Sequence, residues 1–397
     1  MKSFFGRLFR WIRNLIIFII LLALTLFFFV VGKWYDRQTN IVLRESDEAI
    51  VVSERARKLH PQLAVADWHA DNLLWDRDPT IRLSHGHVDI PRLVEGQFAV
   101  QVFDAVIKTP KGLNYHSNTD KTDNITMLAM ANRWPIGTWF SLTNRALHQS
   151  KVLHDAAIES GQLSIIKTRG DLEFFMKQWN VNGGKVGGVL SIEGMHALEG
   201  DLANLQVLID AGYRMMGLVH FFDNEIGGSS AGVEKGGLTD FGRQVVRIMN
   251  EKSIIIDLAH ASEPLIDAVL EMSTRPVVVS HTGVKGVHNS PRNLSDQHLR
   301  AIAAKGGMIG IGFWDEAVGG QSVNDIARAI RYAVDVAGID HVGLGSDFDG
   351  AVAVPFDASQ IILLTEALMT VGFSDDEIKM IMGGNQIRFL MKNLPLN

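Results

Sequence analysis

Residues 253–282, SIIIDLAHASEPLIDAVLEMSTRPVVVSHT, decide the fold. SIIIDLAH (253–260) and PVVVSHT (276–282) are apolar, β-branched runs, the pattern of strands buried on both faces. Between them EPLIDAVLEM (263–272) has the apolar spacing of an amphipathic helix. The alternation continues outward in both directions. Upstream lie LAVADWH (63–69), FAVQVFDAV (98–106), VGGVLSIEG (186–194) and MMGLVHF (215–221); downstream lie GMIGIGF (307–313) and HVGLGSDF (341–348). A second amphipathic stretch, VNDIARAIRYAVDVAG, covers 323–338. Alternating β and α implies a parallel sheet. Eight such runs in about 330 residues predict an α/β fold, a (β/α)8 TIM-like barrel with insertions. A doubly wound open sheet is the alternative, but no Gly-x-Gly-x-x-Gly turn follows the first run.

Most of these runs finish on a histidine or an acid: His69 with Asp71, Glu193, His220, His260, His281 and Asp347. The C-terminal ends of barrel strands converge on one mouth, where barrel enzymes keep their chemistry. His69 and Asp71 are two apart, so on a strand they share a face and offer an imidazole and a carboxylate to one cation. His260 and His281 end neighbouring strands and suit a second cation, with Glu193 able to bridge the two. Taken singly, a histidine ending a strand reads as a satisfied core or cap residue, and an Asp after Gly-Ser as a turn. Repetition on successive strands changes that reading, because burying so many polar groups is costly unless a metal organises them. The chain has no cysteine, so thiolate ligands and disulfides are excluded. Imidazole with carboxylate suits zinc or another first-row metal better than calcium or magnesium. His196 and His288 fall near the mouth without a clear role; the other histidines read blandly.

Hydrophobic residues make up 47% of the 397 residues and charged ones 21%, enough apolar content for a sizeable core. A net charge of −6 argues against nucleic acid as a partner. The charge is unevenly spread. Residues 1–14 hold Lys2, Arg7, Arg10 and Arg13 and no acid, forming a basic tail. Leu15–Gly32 then runs without a charge, and its 18 residues would span roughly 27 Å as a helix, close to a bilayer core. Trp11 and Trp34–Tyr35 flank the run as interfacial aromatics. A cleaved signal peptide needs a shorter apolar core and small residues at a cleavage site, whereas this run ends Phe-Phe-Phe-Val-Val-Gly-Lys-Trp. The expectation is one transmembrane signal anchor over 15–35, with the N-terminus cytoplasmic and the rest outside. Residues 36–62 read as a linker and leading helix, and 63–397 as a single barrel domain.

The segments DWHADNLLW, SIEGMHAL, LVHFFDNEIGGSS, IDLAHAS, VVVSHTG, HNSPRNLSD, GSDFDG and IMGGNQIRFL together resemble the membrane (renal-type) dipeptidases. The resemblance spans roughly residues 45–393, with the motifs in the family's order. It implies a zinc metallopeptidase with an amidohydrolase-like distorted barrel and two zinc ions. His69 and Asp71 would bind one, His260 and His281 the other, and Glu193 would bridge them. Asp347 matches the acid beside the metals; His220 and Arg292 match two substrate-contacting positions. A hydroxide shared by the metals would attack the peptide bond of a dipeptide, with Asp347 as base and then acid. His220 would donate to the developing oxyanion, and the Arg292 fork would clamp the free C-terminal carboxylate. A homodimer is among the expectations, since family members often pair. The absent cysteine and the N-terminal anchor depart from the best-known members and point to a bacterial inner-membrane protein with a periplasmic barrel. Val219-His220 also leads into a different polar stretch, which leaves side-chain preference open, D-residues included.

Two rival functions compete with this one. Another amidohydrolase acting on a lactam, a lactone or an N-acyl amino acid would keep the metals but not need Arg292. A tethered binding protein on a dead barrel would need neither, yet all the expected ligands and Asp347 are present.

Overall fold

The computed structural model describes residues 2–43, 51–179 and 184–396. Each of the eight apolar runs supplies one strand: β1 (Val65–Ala70), β2 (Phe98–Val106), β3 (Val186–Glu193), β4 (Tyr213–Gly217), β5 (Ile255–Asp257), β6 (Val278–Thr282), β7 (Met308–Ile311) and β8 (Val342–Leu344). All pair in parallel in the order β2-β1-β8-β7-β6-β5-β4-β3. Pairing of Val100–Val106 with Gly187–Glu193 closes the ring, so the chain forms a (β/α)8 barrel rather than an open sheet. The runs are continuously apolar because helices cover the outer face while packed side chains fill the inside. The covering helices start where the chain offers a cap: Ser141, Thr239, Ser262 and Ser322 each accept a backbone N–H of the first turn.

The barrel is distorted at two seams. β5 meets β6 only at Asp257 beside Val278, and β8 meets β1 only at Leu344 beside Asp67. Buried carboxylates replace the missing ladder bonds. Asp257 accepts from Ser280 N (2.8 Å), Ser280 Oγ (2.5 Å) and Ala259 N (2.9 Å). Asp67 accepts from Ser346 N (2.7 Å), Ser346 Oγ (2.8 Å) and Gln101 Nε2 (2.8 Å). Burial pushes the Asp257 carboxyl up to about 6 against the pull of those bonds. Splayed strands leave room at the mouth, and the seams lie directly beneath it.

At the N-terminus, α1 (Lys2–Leu26) passes through a π turn at Phe27–Val31 into α2 (Gly32–Thr39). This run holds one helix, Phe4–Thr39, long and apolar enough by length and composition to cross a membrane. It is a candidate anchor. The helix extends past the expected span 15–35: Gly32 and Asp36 are buried against the barrel, and Ile41–Val42 pairs in parallel with Ala353–Val354. Part of the stretch read as a linker is therefore docked. Residues 44–50 of it lie outside the described residues, and the leading helix follows at Glu54–Leu59, capped by Ser53. Three short strands escaped the sequence pattern: Ile41–Val42, Ala353–Val354, and Leu163–Ile165, which flanks the first residues of β3.

Candidate metal centre

The C-terminal ends of six strands bring seven side chains to one point. His69 lies in β1, with Asp71 just beyond it. Glu193 ends β3 and His281 lies in β6, while His220, His260 and Asp347 each follow their strand by three residues. All seven are buried. His260 and Asp347 hold left-handed backbone, φ 62° and 60°, a conformation that bulky residues adopt at a cost of about 1–3 kcal/mol. Glu193 is central: its Oε1 lies 2.8 Å from His260 Nε2 and 3.4 Å from His281 Nε2, and its Oε2 lies 2.9 Å from His220 Nε2. His69 Nε2 is 3.3 Å from Asp71 Oδ1 and 3.8 Å from Asp347 Oδ1, and the imidazoles of His260 and His281 approach to 3.0 Å.

These donors fit a metal. Three overlapping trios have ligand atoms mutually within 4.8 Å: His69–Asp71–Glu193, His69–His281–Asp347 and Glu193–His220–His260. Glu193 and His69 each belong to two of them; His69 offers one lone pair to the centre, whereas the Glu193 carboxylate offers two oxygens. Within the cluster, His69 Nε2 and Asp71 Oδ1 are buried and make no hydrogen bond. An uncompensated buried polar atom is expensive, and a cation between them would offset that cost. An outer group sets the His281 tautomer. Ser280 Oγ donates to Asp257 and lies 2.9 Å from His281 Nδ1, so His281 turns its Nε2 lone pair to the centre. Asp104 Oδ2 lies 3.3 Å from His69 Nδ1, close enough to attract a charged ring without forming a hydrogen bond.

The electrostatics divide the imidazoles: burial works against a charge on His69, but Asp71 and then Asp104 outweigh it and hold that ring well above the ordinary imidazole range, so it carries a proton until a cation replaces it. Burial, followed by the charge of Arg292, keeps His260 well below the ordinary imidazole range; for His281, burial is joined first by His69 and then by Arg292. Neutral imidazole is the ligating form. Burial pushes Asp71 up to about 6 and Asp347 well above its usual range, with His69 opposing in both cases. Carboxylates crowded this way are uncomfortable without a cation; a bound one inverts that logic and ionises them.

Above the cluster lies a cavity of about 240 Å³, with Asp71, Glu193, His220, His260, His281 and Asp347 at its base. Arg292, which taken alone could pass for a surface residue, is 5% exposed and lines this cavity. Its Nη2 donates to His281 O (2.8 Å), and its guanidinium lies 5.9 Å from the Trp314 ring centre. The sequence reading thus names the base of the cavity and its one cation. It missed Asp104 and Asp257, although each is an acid inside an apolar strand and so carried a signal. It also missed Tyr115, Trp314 and Tyr35 on the cavity wall, for which no pattern exists. His196 is buried behind the site, where burial and then His220 keep it well below the ordinary range. His288 is half-exposed and faces Glu316 at 3.9 Å.

A family model described as membrane dipeptidase, peptidase family M19, matches residues 53–394. The chain is 27% identical over 314 residues to the dipeptidase verJ of Clonostachys rogersoniana, an alignment covering 77% of this chain and 75% of that protein. A solved dipeptidase described as a metallopeptidase of family M19 superposes with a TM-score of 0.68 at 26% identity, over 84% of this chain and 99% of its own. A metallopeptidase from Rhodobacter sphaeroides, liganded with a phosphinate mimic of the dipeptide L-Ala-D-Ala, gives 0.66 at 25% identity over 84% and 99%.

Proposed function

Since the chain belongs to the membrane dipeptidase family of metallopeptidases and is a hydrolase of peptide bonds, we propose that it is a membrane-anchored, dinuclear zinc enzyme that cleaves dipeptides and spares longer chains. The observation that carries this reading is the convergence of four histidines and three carboxylates beneath a cavity with one buried arginine. His69 and Asp71 would hold one zinc, His260 and His281 the other, and Glu193 both. Bound there, the ions would polarise the scissile carbonyl and lower the pKa of the attacking water.

The chain's own groups supply the rest. Asp347 takes the proton of the attacking water and passes it to the leaving amine, for which its carboxylate must be ionised. His220 donates to the oxyanion as charge builds on the carbonyl. Arg292 offers a planar fork to the C-terminal carboxylate, and its backbone bond to His281 O holds that fork at a set height above the base. A third residue would remove the carboxylate from that position, so length is measured by charge. The four basic residues before the apolar run favour a cytoplasmic N-terminus, which would put the barrel in the periplasm. The phosphinate dipeptide mimic held by the Rhodobacter sphaeroides relative puts L,D-dipeptides among the candidate substrates.

The test is metal analysis of the purified full chain in detergent, with a screen of L,L-, L,D- and D,L-dipeptides against tripeptides and dipeptide amides. Two zinc ions per chain are expected, with dipeptides cleaved much faster than their amides and tripeptides spared. Arg292→Ala should raise KM for dipeptides roughly 10–150-fold, the value of a charged hydrogen bond, without a comparable loss on amides. Efficient tripeptide cleavage would remove the carboxylate clamp. A chain that binds no zinc, and in which added zinc restores no hydrolysis, would remove the whole proposal.

A further inference from the structure

One wall of the cavity comes from outside the barrel. Tyr35 and Thr39, one turn apart on α2, line it beside Leu74, Trp75 and Val352. The family match begins at residue 53, so this wall lies in a part of the chain that the family pattern does not cover. It is firmly seated. Asp36, next to Tyr35, is buried and ion-paired with Arg77, whose Nη1 donates to Asp349 Oδ2 (2.6 Å) two residues beyond Asp347. Asn40 Nδ2 donates to Asp36 Oδ1 (2.8 Å), and Asn40 Oδ1 accepts from Ala351 N (2.9 Å). A Cβ on Gly32 would meet Asn132 Oδ1 at 2.0 Å, so helix and barrel touch closely there. The Tyr35 ring lies 6.0 Å from the Trp75 ring, tilted by 46°. Thr39 Oγ1 donates to Tyr35 O (2.9 Å) and is spent within its own helix. With the Thr39 hydroxyl so committed, Tyr35, 39% exposed and with its ring beside Trp75, is the larger group that α2 offers to the cavity.

We infer that α2 completes the substrate pocket and that Tyr35 is a specificity-determining residue, selecting the side chain at one of the two dipeptide positions. The inference rests on the dipeptidase reading and deepens it. Apolar contact of this kind discriminates by about 10–200-fold per methylene-sized difference, with the effect in binding rather than in the chemical step. The C-terminal end of the candidate membrane helix would then be part of the enzyme's recognition surface as well as its tether.

The experiment uses the full chain in detergent with two dipeptide series, X-Gly and Gly-X, where X is Gly, Ala, Leu or Phe. Tyr35→Ala should change the ratio of kcat/KM between X = Phe and X = Ala at least fivefold, through KM, in one series only. Tyr35→Phe should keep the unmodified ranking, because the ring and not the hydroxyl forms the wall. Tyr35→Trp should shift the same series toward smaller X, and bound zinc should be equal in all three. An unchanged ranking in both series, or a fall by one common factor in both, overturns the role of Tyr35 while leaving the dipeptidase reading intact. Failure of the unmodified chain to cleave any member overturns that reading, and the selectivity with it.

Discussion

His60 shows how one residue ties stability to pH. It stands buried ahead of β1, with its Nδ1 2.9 Å from Thr365 Oγ1. Burial lowers its pKa to about 4, outweighing the backbone bond to Gly96 that would raise it. The unfolded chain, with an ordinary imidazole near 6.5, therefore binds the proton first as pH falls. Stability is fully present above the unfolded value and is lost as pH drops from about 6.5 toward 4. At about 1.4 kcal/mol per unit, the loss by pH 5 is about 2 kcal/mol. Denaturant titrations at pH 7.5 and 5.0 should show the unmodified protein losing about that much more than His60→Gln; equal losses would refute the assignment. At the site, residue identity was readable where chemistry is rare: imidazoles and acids that end apolar strands are costly to bury, so a row of them stands out from the core pattern. Tyr35 and Trp314 carry no such mark, because an aromatic residue is ordinary anywhere.

Among the elements, α2 is the one whose role changes most between sequence and structure. Its first residues, to Tyr35, read as the end of the anchor and those from Asp36 as a linker, yet Asp36, Arg77 and Asp349 form a buried chain of charges joining it to the loop after β8. Removing one partner of a buried pair leaves the other uncompensated, at about 3–5 kcal/mol. Asp36→Ala and Arg77→Ala should each destabilise strongly. A double-mutant cycle by chemical denaturation should return a coupling of about 1–3 kcal/mol, whereas additive losses would mean the pair is not direct. The barrel strands were legible because each is a run of apolar residues bounded by turns. The two-residue pairing of Ile41–Val42 with Ala353–Val354 was not, since two residues hold no period and their partner lies far along the chain.

At the scale of the whole molecule, the centre draws on six strands, so its occupancy bears on the closure of the barrel mouth. Ligands that bind only the folded state stabilise by mass action, about 2.7 kcal/mol at a hundredfold excess over Kd. Chelation of the full chain should lower its Tm, and zinc added back should restore it; a Tm indifferent to both would show that the seven side chains organise no metal. By itself the sequence determined the class of fold, the long apolar N-terminal run and the imidazole-and-carboxylate make-up of the candidate centre, because hydrophobic period, uninterrupted length and clustered imidazoles and acids are local properties of a chain. Tertiary structure alone decided the rest. It set the closure through β2 and β3, the seams stitched by Asp67 and Asp257, the burial of Arg292 and the seating of α2 over the cavity. Each of these joins residues distant in sequence, and which distant groups meet depends on how the strands close and splay in space.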